Sequence, residues 1–156
     1  MILLKEQIER LIPHAGAMCL IDRVVRWDSH TVHCLARSHL EPGNPLRHGG
    51  RLSSLALVEY GAQAMAIHGG LLAHHCHTVA PGYLAAVHEA RFSVDYIDRL
   101  NCDLAINARA KVRLDNGVVY TFSIGCDEAG LLLEARATVI NLPRENCHET
   151  STGDRR

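Results

Sequence analysis

Glu59 and Gln63 stand four residues apart in an otherwise apolar run, Leu52-Ser-Ser-Leu-Ala-Leu-Val-Glu-Tyr-Gly-Ala-Gln-Ala-Met-Ala-Ile67. On a helix such a pair shares one face, one side chain above the other. A carboxylate inside an apolar helix costs several kcal/mol unless it is paired or protonated, so its presence calls for a reason. One reason is general acid or base work on a bound substrate. The other is structural: the side chain caps a backbone group or reaches a polar rim. Glycine pairs at Gly49-Gly50 and Gly69-Gly70 bracket the run and predict a central helix over about Leu52 to Ala73.

A second concentration of reactive side chains is His74-His75-Cys76-His77, just before Pro81-Gly82. Consecutive residues rarely converge on one tetrahedral ion without a ligand from elsewhere. The cluster therefore reads as a solvated turn near the negative end of the helix dipole, and no metal site is expected. The six cysteines, at 19, 34, 76, 102, 126 and 147, contain no C-x-x-C pair. They read as small buried hydrophobes in a reducing compartment.

The elements that must position Glu59 follow from periodicity and turn chemistry. A short helix is expected at about residues 4 to 11, then strands at Met18 to Trp27 and His30 to Ser38 joined at Asp28-Ser29. The segment Leu40 to Gly50, with two prolines and three glycines, is a loop feeding the helix. Four strands are expected after the helix, at Leu84 to Ile97, Asp103 to Leu114, Val118 to Asp127 and Leu131 to Asn141. Tight turns lie at Asp115-Asn-Gly117 and Glu128-Ala-Gly130. A helix that is apolar nearly all round is best buried by wrapping an antiparallel sheet about it, an α+β arrangement. At 156 residues and 47% hydrophobic the chain suits one domain, residues 1–142, followed by a polar tail over 143–156.

Charge narrows the partners. Sixteen basic and 17 acidic side chains nearly cancel, which favours no nucleic-acid function. The N-terminal Met1-Ile-Leu-Leu-Lys5 is too short an apolar stretch for a signal peptide or a spanning helix, so a cytoplasmic protein without a membrane partner is expected.

Two motifs carry a family resemblance. The segment Leu11-Ile-Pro-His14-Ala-Gly-Ala-Met18-Cys-Leu-Ile-Asp22-Arg23-Val-Val25 resembles the opening of the 3-hydroxyacyl-acyl carrier protein dehydratases of fatty acid synthesis. There a Leu-x-Pro-His segment runs into an apolar strand ending in Asp-Arg-Val. Glu59, Ala62 and Gln63 match the family's second signature, Glu-x-x-Ala-Gln. The form Val58 to Gly70 is most similar to a divergent branch found with aryl polyene and related polyketide-like clusters. By element order the resemblance covers about residues 8 to 140.

The resemblance implies a hotdog fold and a dimer with active sites between protomers, either a homodimer or a heterodimer with a related hotdog dehydratase. A free edge strand in the wrapped sheet is consistent with such pairing. It also implies elimination of water from a 3-hydroxyacyl thioester carried on the phosphopantetheine of an acyl carrier protein, with no further cofactor. Glu59 takes the place of the helix acid that protonates the leaving hydroxyl, and Gln63 would orient it. Gly49, Gly50, Arg51 and Leu52 stand where helix-start amides would meet the thioester oxygen.

The family's histidine, the base that removes the α-proton, lies in a His-Phe-Pro-Gly-x-Pro loop, and its position falls here on Pro45. His48, near the helix start, and His39, which keeps the local order His39-Leu-Glu-Pro-Gly-Asn-Pro45, are the two candidates, in that order. His14, after Pro13 and before small residues, is read as a turn imidazole that satisfies buried backbone groups. Arg23, Arg26, Arg47, Arg51 and Arg91 are candidates for the phosphopantetheine phosphate or an acidic carrier surface. Two other readings stay open: a hotdog thioesterase, which needs Glu59 but no loop histidine, and a non-catalytic protomer that supports a partner dehydratase.

Overall fold

The structure is a computed structural model that describes residues 2–76 and 82–141, without the side chains of residues 74–76. The His74–His77 cluster and the tail beyond residue 141 lie outside what it describes.

Among the described residues, seven strands form one antiparallel sheet around one long helix, the hotdog arrangement. In chain order they are β1 (Leu3–Leu4), β2 (Arg23–Trp27), β3 (Thr31–Ala36), β4 (Gly82–Phe92), β5 (Leu104–Leu114), β6 (Gly117–Cys126) and β7 (Gly130–Asn141). Spatially they run β1-β2-β3-β5-β6-β7-β4, which leaves β1 and β4 at the edges. The helices are α1 (Lys5–Ile8) and α2 (Leu57–Cys76).

The alternation that predicted these strands is what buries the helix. Val32, Cys34 and Ala36 of β3, Leu104, Ile106 and Ala108 of β5, and Tyr120, Phe122 and Ile124 of β6 all point inward. They meet Leu57, Tyr60, Ala64, Met65 and Ile67 of α2, all buried. Helix and sheet approach so closely at Gly61 that a Cβ there would sit 2.4 Å from Phe122 Cε2.

Several boundaries differ from the sequence expectation: Leu3–Leu4 form a strand, α1 is shorter than residues 4–11, and other ends shift. α2 starts at Leu57, later than Leu52, because residues 52–54 are tied to the chain after β4. Ile97 donates to the Leu52 carbonyl at 2.9 Å and Ser54 donates to that of Asp95 at 2.9 Å. A 3-10 turn over Ser54–Ala56, capped by Ser53, then leads into the helix. For the same reason β4 stops at Phe92, short of Ile97. Met18 to Asp22 are outside the sheet; Gln63 takes the Met18 carbonyl and the Leu20 N–H, and the Asp22 N–H donates to the Leu35 carbonyl. The helix runs through Gly69-Gly70 to Cys76; Gly70 is where Leu11 presses on it, with the Leu11 carbonyl 2.9 Å from a Cβ built there.

Candidate active site

Gln63 is the organising residue. It is fully buried, and its Nε2 donates to the Met18 carbonyl at 2.7 Å and to Glu59 Oε1 at 3.0 Å. Its Oε1 accepts the Leu20 N–H at 2.9 Å. A carbonyl can only accept and an amide N–H can only donate, so these partners fix which end of the Gln63 amide is which. One side chain thereby straps the 18–20 segment to the helix and holds the Glu59 carboxyl one turn away.

That strap decides what faces Glu59. The segment just before it carries His14, whose Nε2 lies 3.3 Å from Glu59 Oε1, each side chain about one-third exposed. The Nδ1 of His14 is buried without a hydrogen-bond partner. Among the described residues, the turn histidine expected to satisfy backbone groups satisfies none, and its one polar contact is the helix carboxyl. The motif Leu11-Ile-Pro-His14 and the motif Glu59–Gln63, distant in sequence, form one constellation.

The two loop histidines stand elsewhere. His39 is fully buried, and its Nε2 donates to the Leu100 carbonyl at 2.8 Å. Burial pushes its pKa down, since an imidazolium there would lose its water. His48 is exposed and opens a tight hairpin, exchanging backbone hydrogen bonds with Arg51 at 2.9 and 3.0 Å. Gly49 and Gly50 form its tip with φ of 56° and 75°, a left-handed pair that glycine supplies without strain. Among the described residues, the imidazole in contact with Glu59 is that of His14.

The expected thioester-binding residues divide in the same way. The Arg51 N–H donates to the His48 carbonyl, and the Leu52 N–H to Asp98 Oδ1 at 3.1 Å. The N–H groups of Gly49 and Gly50 have no acceptor among the described residues. Arg51 Nε donates to Asp98 Oδ2 at 2.9 Å, and its guanidinium lies 3.9 Å above the Tyr96 ring. Burial alone would raise the Asp98 carboxyl, but the Leu52 N–H and the Arg51 guanidinium outweigh it and hold it below the usual carboxylate range.

The loop between β3 and α2 is fixed through the neighbour of Glu59. The Tyr60 hydroxyl lies 2.8 Å from Ser38 Oγ and accepts from Asn44 Nδ2 at 3.2 Å. Ser38 Oγ donates to the Leu20 carbonyl at 2.7 Å, so the Tyr60 hydroxyl is the donor to Ser38. Burial pushes the Tyr60 phenol up, which keeps it neutral. Arg47 closes the loop with bonds to the carbonyls of Glu41, Gly50 and His39, each 2.9 Å. Sequence reasoning did not find Tyr60, Ser38 and Asn44; the signal was a Tyr beside the helix acid and two small polar residues in the loop.

Comparison with known proteins identifies the family and the fold. The sequence matches the profile of the ApeP-like family, described as ApeP dehydratase, over residues 6–150. No curated protein matches it. Among solved structures it is similar to the dehydratase heterocomplex ApeI:P from Xenorhabdus doucetiae, with a TM-score of 0.77, 19% identity, and coverage of 88% of this chain and 91% of that one. It is also similar to a thioesterase from Haemophilus influenzae, with a TM-score of 0.65, 14% identity, and coverage of 94% and 95%. A hypothetical thioesterase protein with coenzyme A from Streptococcus pneumoniae aligns with a TM-score of 0.58, 11% identity, and coverage of 88% and 93%. At these identities the solved structures speak to the fold. No described helix is long and apolar enough to cross a membrane.

Proposed function

This chain belongs to the ApeP-like dehydratase family, and we propose that it eliminates water from 3-hydroxyacyl thioesters carried on the phosphopantetheine arm of an acyl carrier protein, with His14 and Glu59 as the catalytic pair. The observation that carries the assignment of residues is the 3.3 Å approach of His14 Nε2 to Glu59 Oε1. An elimination needs an acceptor for the α-proton and a donor for the departing hydroxyl, and these are the two groups that meet here.

The reaction balances on this pair. His14 Nε2 takes the proton from Cα, the Cα–H electrons become the new C=C bond, the Cβ–O bond breaks, and the acid form of Glu59 supplies its proton so that water leaves. The products are a 2-enoyl thioester, an imidazolium and a carboxylate. The pair is reset when His14 gives up the proton it took and Glu59 regains one, a transfer for which their contact offers a path. Gln63, donating to Glu59 Oε1, keeps that oxygen aimed while the other oxygen is free to act. The Gly49 and Gly50 amides are the candidates for polarising the thioester oxygen.

The pair lies within one protomer, whereas its surroundings invite a second. β4 is an edge strand whose outer side has no partner among the described residues, and pairing it to another hotdog chain would extend the sheet. The solved dehydratase of similar fold is a heterocomplex, which favours a related dehydratase chain over a second copy.

The test uses purified protein, alone and with a partner dehydratase, on a 3-hydroxyacyl carrier substrate followed by mass spectrometry. Loss of water that disappears in Glu59→Gln and His14→Ala supports the proposal. Release of free acid would instead make the protein a thioesterase. Dehydration with a partner that is indifferent to both substitutions would make this chain a supporting protomer.

A further inference from the structure

The face of the sheet turned away from α2 holds a concavity of about 610 Å³ in which four arginines, Arg26, Arg91, Arg109 and Arg136, face two carboxylates, Glu89 and Glu134. The sheet itself separates it from His14 and Glu59. We infer that this concavity is an anion site that takes a multiply charged phosphate group.

The arginines are poorly neutralised, which is unusual in a chain whose net charge is −1. Arg136 Nη2 pairs with Glu89 Oε1 at 3.2 Å. Arg26 donates from Nη2 to His33 Nε2 at 3.0 Å, a neutral acceptor. A guanidinium can only donate, so His33 keeps its lone pair on Nε2 and its proton on Nδ1, where it donates to Asn107 Oδ1. Arg91 and Arg109 have no ion-pair partner among the described residues. Four guanidiniums against two carboxylates leave the hollow with two uncompensated positive charges, and guanidinium forks fit phosphate oxygens two at a time.

The backbone is bent to place one of them there. In the β4–β7 pairing His88 stands opposite Arg136, and Arg91 opposite Glu134. Arg136 and Glu134 alternate with buried Ala135, so both face outward, and residues opposite each other share a face. His88 and Arg91 must then face the same way although they are three apart, which a regular strand forbids. A bulge between them supplies the extra residue, and it holds Glu89 at a φ of 54°, the one left-handed non-glycine among the described residues. Without the bulge Arg91 would turn toward the helix. A strained residue kept to aim a cation points to function.

Charge also argues against the alternative occupants. A second copy docking by a two-fold axis would set a patch with more arginines than carboxylates against itself, net positive on net positive. The hollow has the volume of a small-molecule site rather than of a protein interface.

Inorganic pyrophosphate and a nucleoside diphosphate, titrated by calorimetry into the full chain at low and at moderate ionic strength, test the inference. Saturable one-site binding should weaken by at least about tenfold in Arg91→Gln/Arg109→Gln, weaken in Arg91→Lys, which keeps the charge and loses the fork, and survive in Arg99→Gln on another surface. Tighter binding of the nucleotide would assign the site to a phosphorylated metabolite, and equal binding to the inorganic ion. Circular dichroism of each variant confirms that it is folded. The inference is overturned if the wild type binds neither probe, if Arg99→Gln loses as much as the double variant, or if only a glutamate-rich peptide binds.

Discussion

Gln63 donates from one nitrogen to Glu59 Oε1 at 3.0 Å and to the Met18 carbonyl at 2.7 Å. The helix carboxyl and the segment that carries His14 are therefore held by the same amide.

This makes Gln63 a positioning residue for both halves of the pair. Gln63→Leu keeps the volume but strands the buried Met18 carbonyl and Leu20 N–H, a loss of about 1–3 kcal/mol for each unsatisfied group. The expected result is a lower urea midpoint together with a fall in kcat. Gln63→Glu should keep more of the fold than Leu because it can still accept from Leu20 N–H, yet it sets a second carboxyl against Glu59. A variant with unchanged stability and rate would remove Gln63 from this role.

The proposed catalytic pair, His14 and Glu59, should behave as a unit. A general acid or base contributes about 10²–10⁴-fold in rate, so Glu59→Gln and His14→Ala should each lose that much turnover, with the double variant little worse than either single one. Steady-state dehydration of a 3-hydroxyacyl carrier substrate measures this. His48→Ala should leave the rate unchanged. His39→Ala should lower it only as far as it unfolds the protein. A fully additive double variant would separate His14 from Glu59 in mechanism.

Acid should destabilise the fold through its buried histidines. His39 and His68 both have pKa values pushed down by burial. His68 donates from Nε2 to the Asp28 carbonyl at 2.9 Å and accepts from the Tyr120 hydroxyl at 2.8 Å, an arrangement open only to the neutral ring. The unfolded chain protonates these rings near the ordinary histidine pKa of about 6.5, and the folded chain only at lower pH. Stability is therefore fully present above that pH and declines as pH falls through the interval down to the folded pKa values. Asp98, held below its usual range, adds a further loss in the carboxylate interval. Urea midpoints measured from neutral to mildly acidic pH should fall in the wild type and fall less in His68→Gln.

Gly61 should not tolerate a methyl group. A Cβ there would lie 2.4 and 2.5 Å from two atoms of the Phe122 ring. Gly61→Ala is expected to cost about 1–3 kcal/mol from overpacking, read as a lower urea midpoint, and Phe122→Leu in the same chain should recover part of it. Destabilisation by Gly61→Ala that Phe122→Leu leaves untouched would place the strain elsewhere.

The sequence by itself determined most of the elements, though not the edge strand Leu3–Leu4, and one half of the proposed site. Alternation in residues 31–36, 104–114, 117–126 and 130–141 marks strands because side-chain direction has period two, and an apolar run too long for a strand marks α2. The i, i+4 spacing put Glu59 and Gln63 on one face because helix geometry is local. What faces Glu59 was not local. His39 and His48 are nearer in sequence, but backbone pairing with Arg51 holds His48 in its hairpin and the Leu100 carbonyl holds His39 in the interior. His14 arrives because Gln63 accepts from and donates to the backbone two strands' worth of chain away, and only the folded chain shows which buried amide those groups will find. The start of α2 was likewise decided by tertiary bonds from Asp95, Ile97 and Asp98, which outcompete the helix for residues 52–54. Periodicity reports which way a side chain points within its own element; which two elements touch depends on packing and on the partners available to each buried polar group.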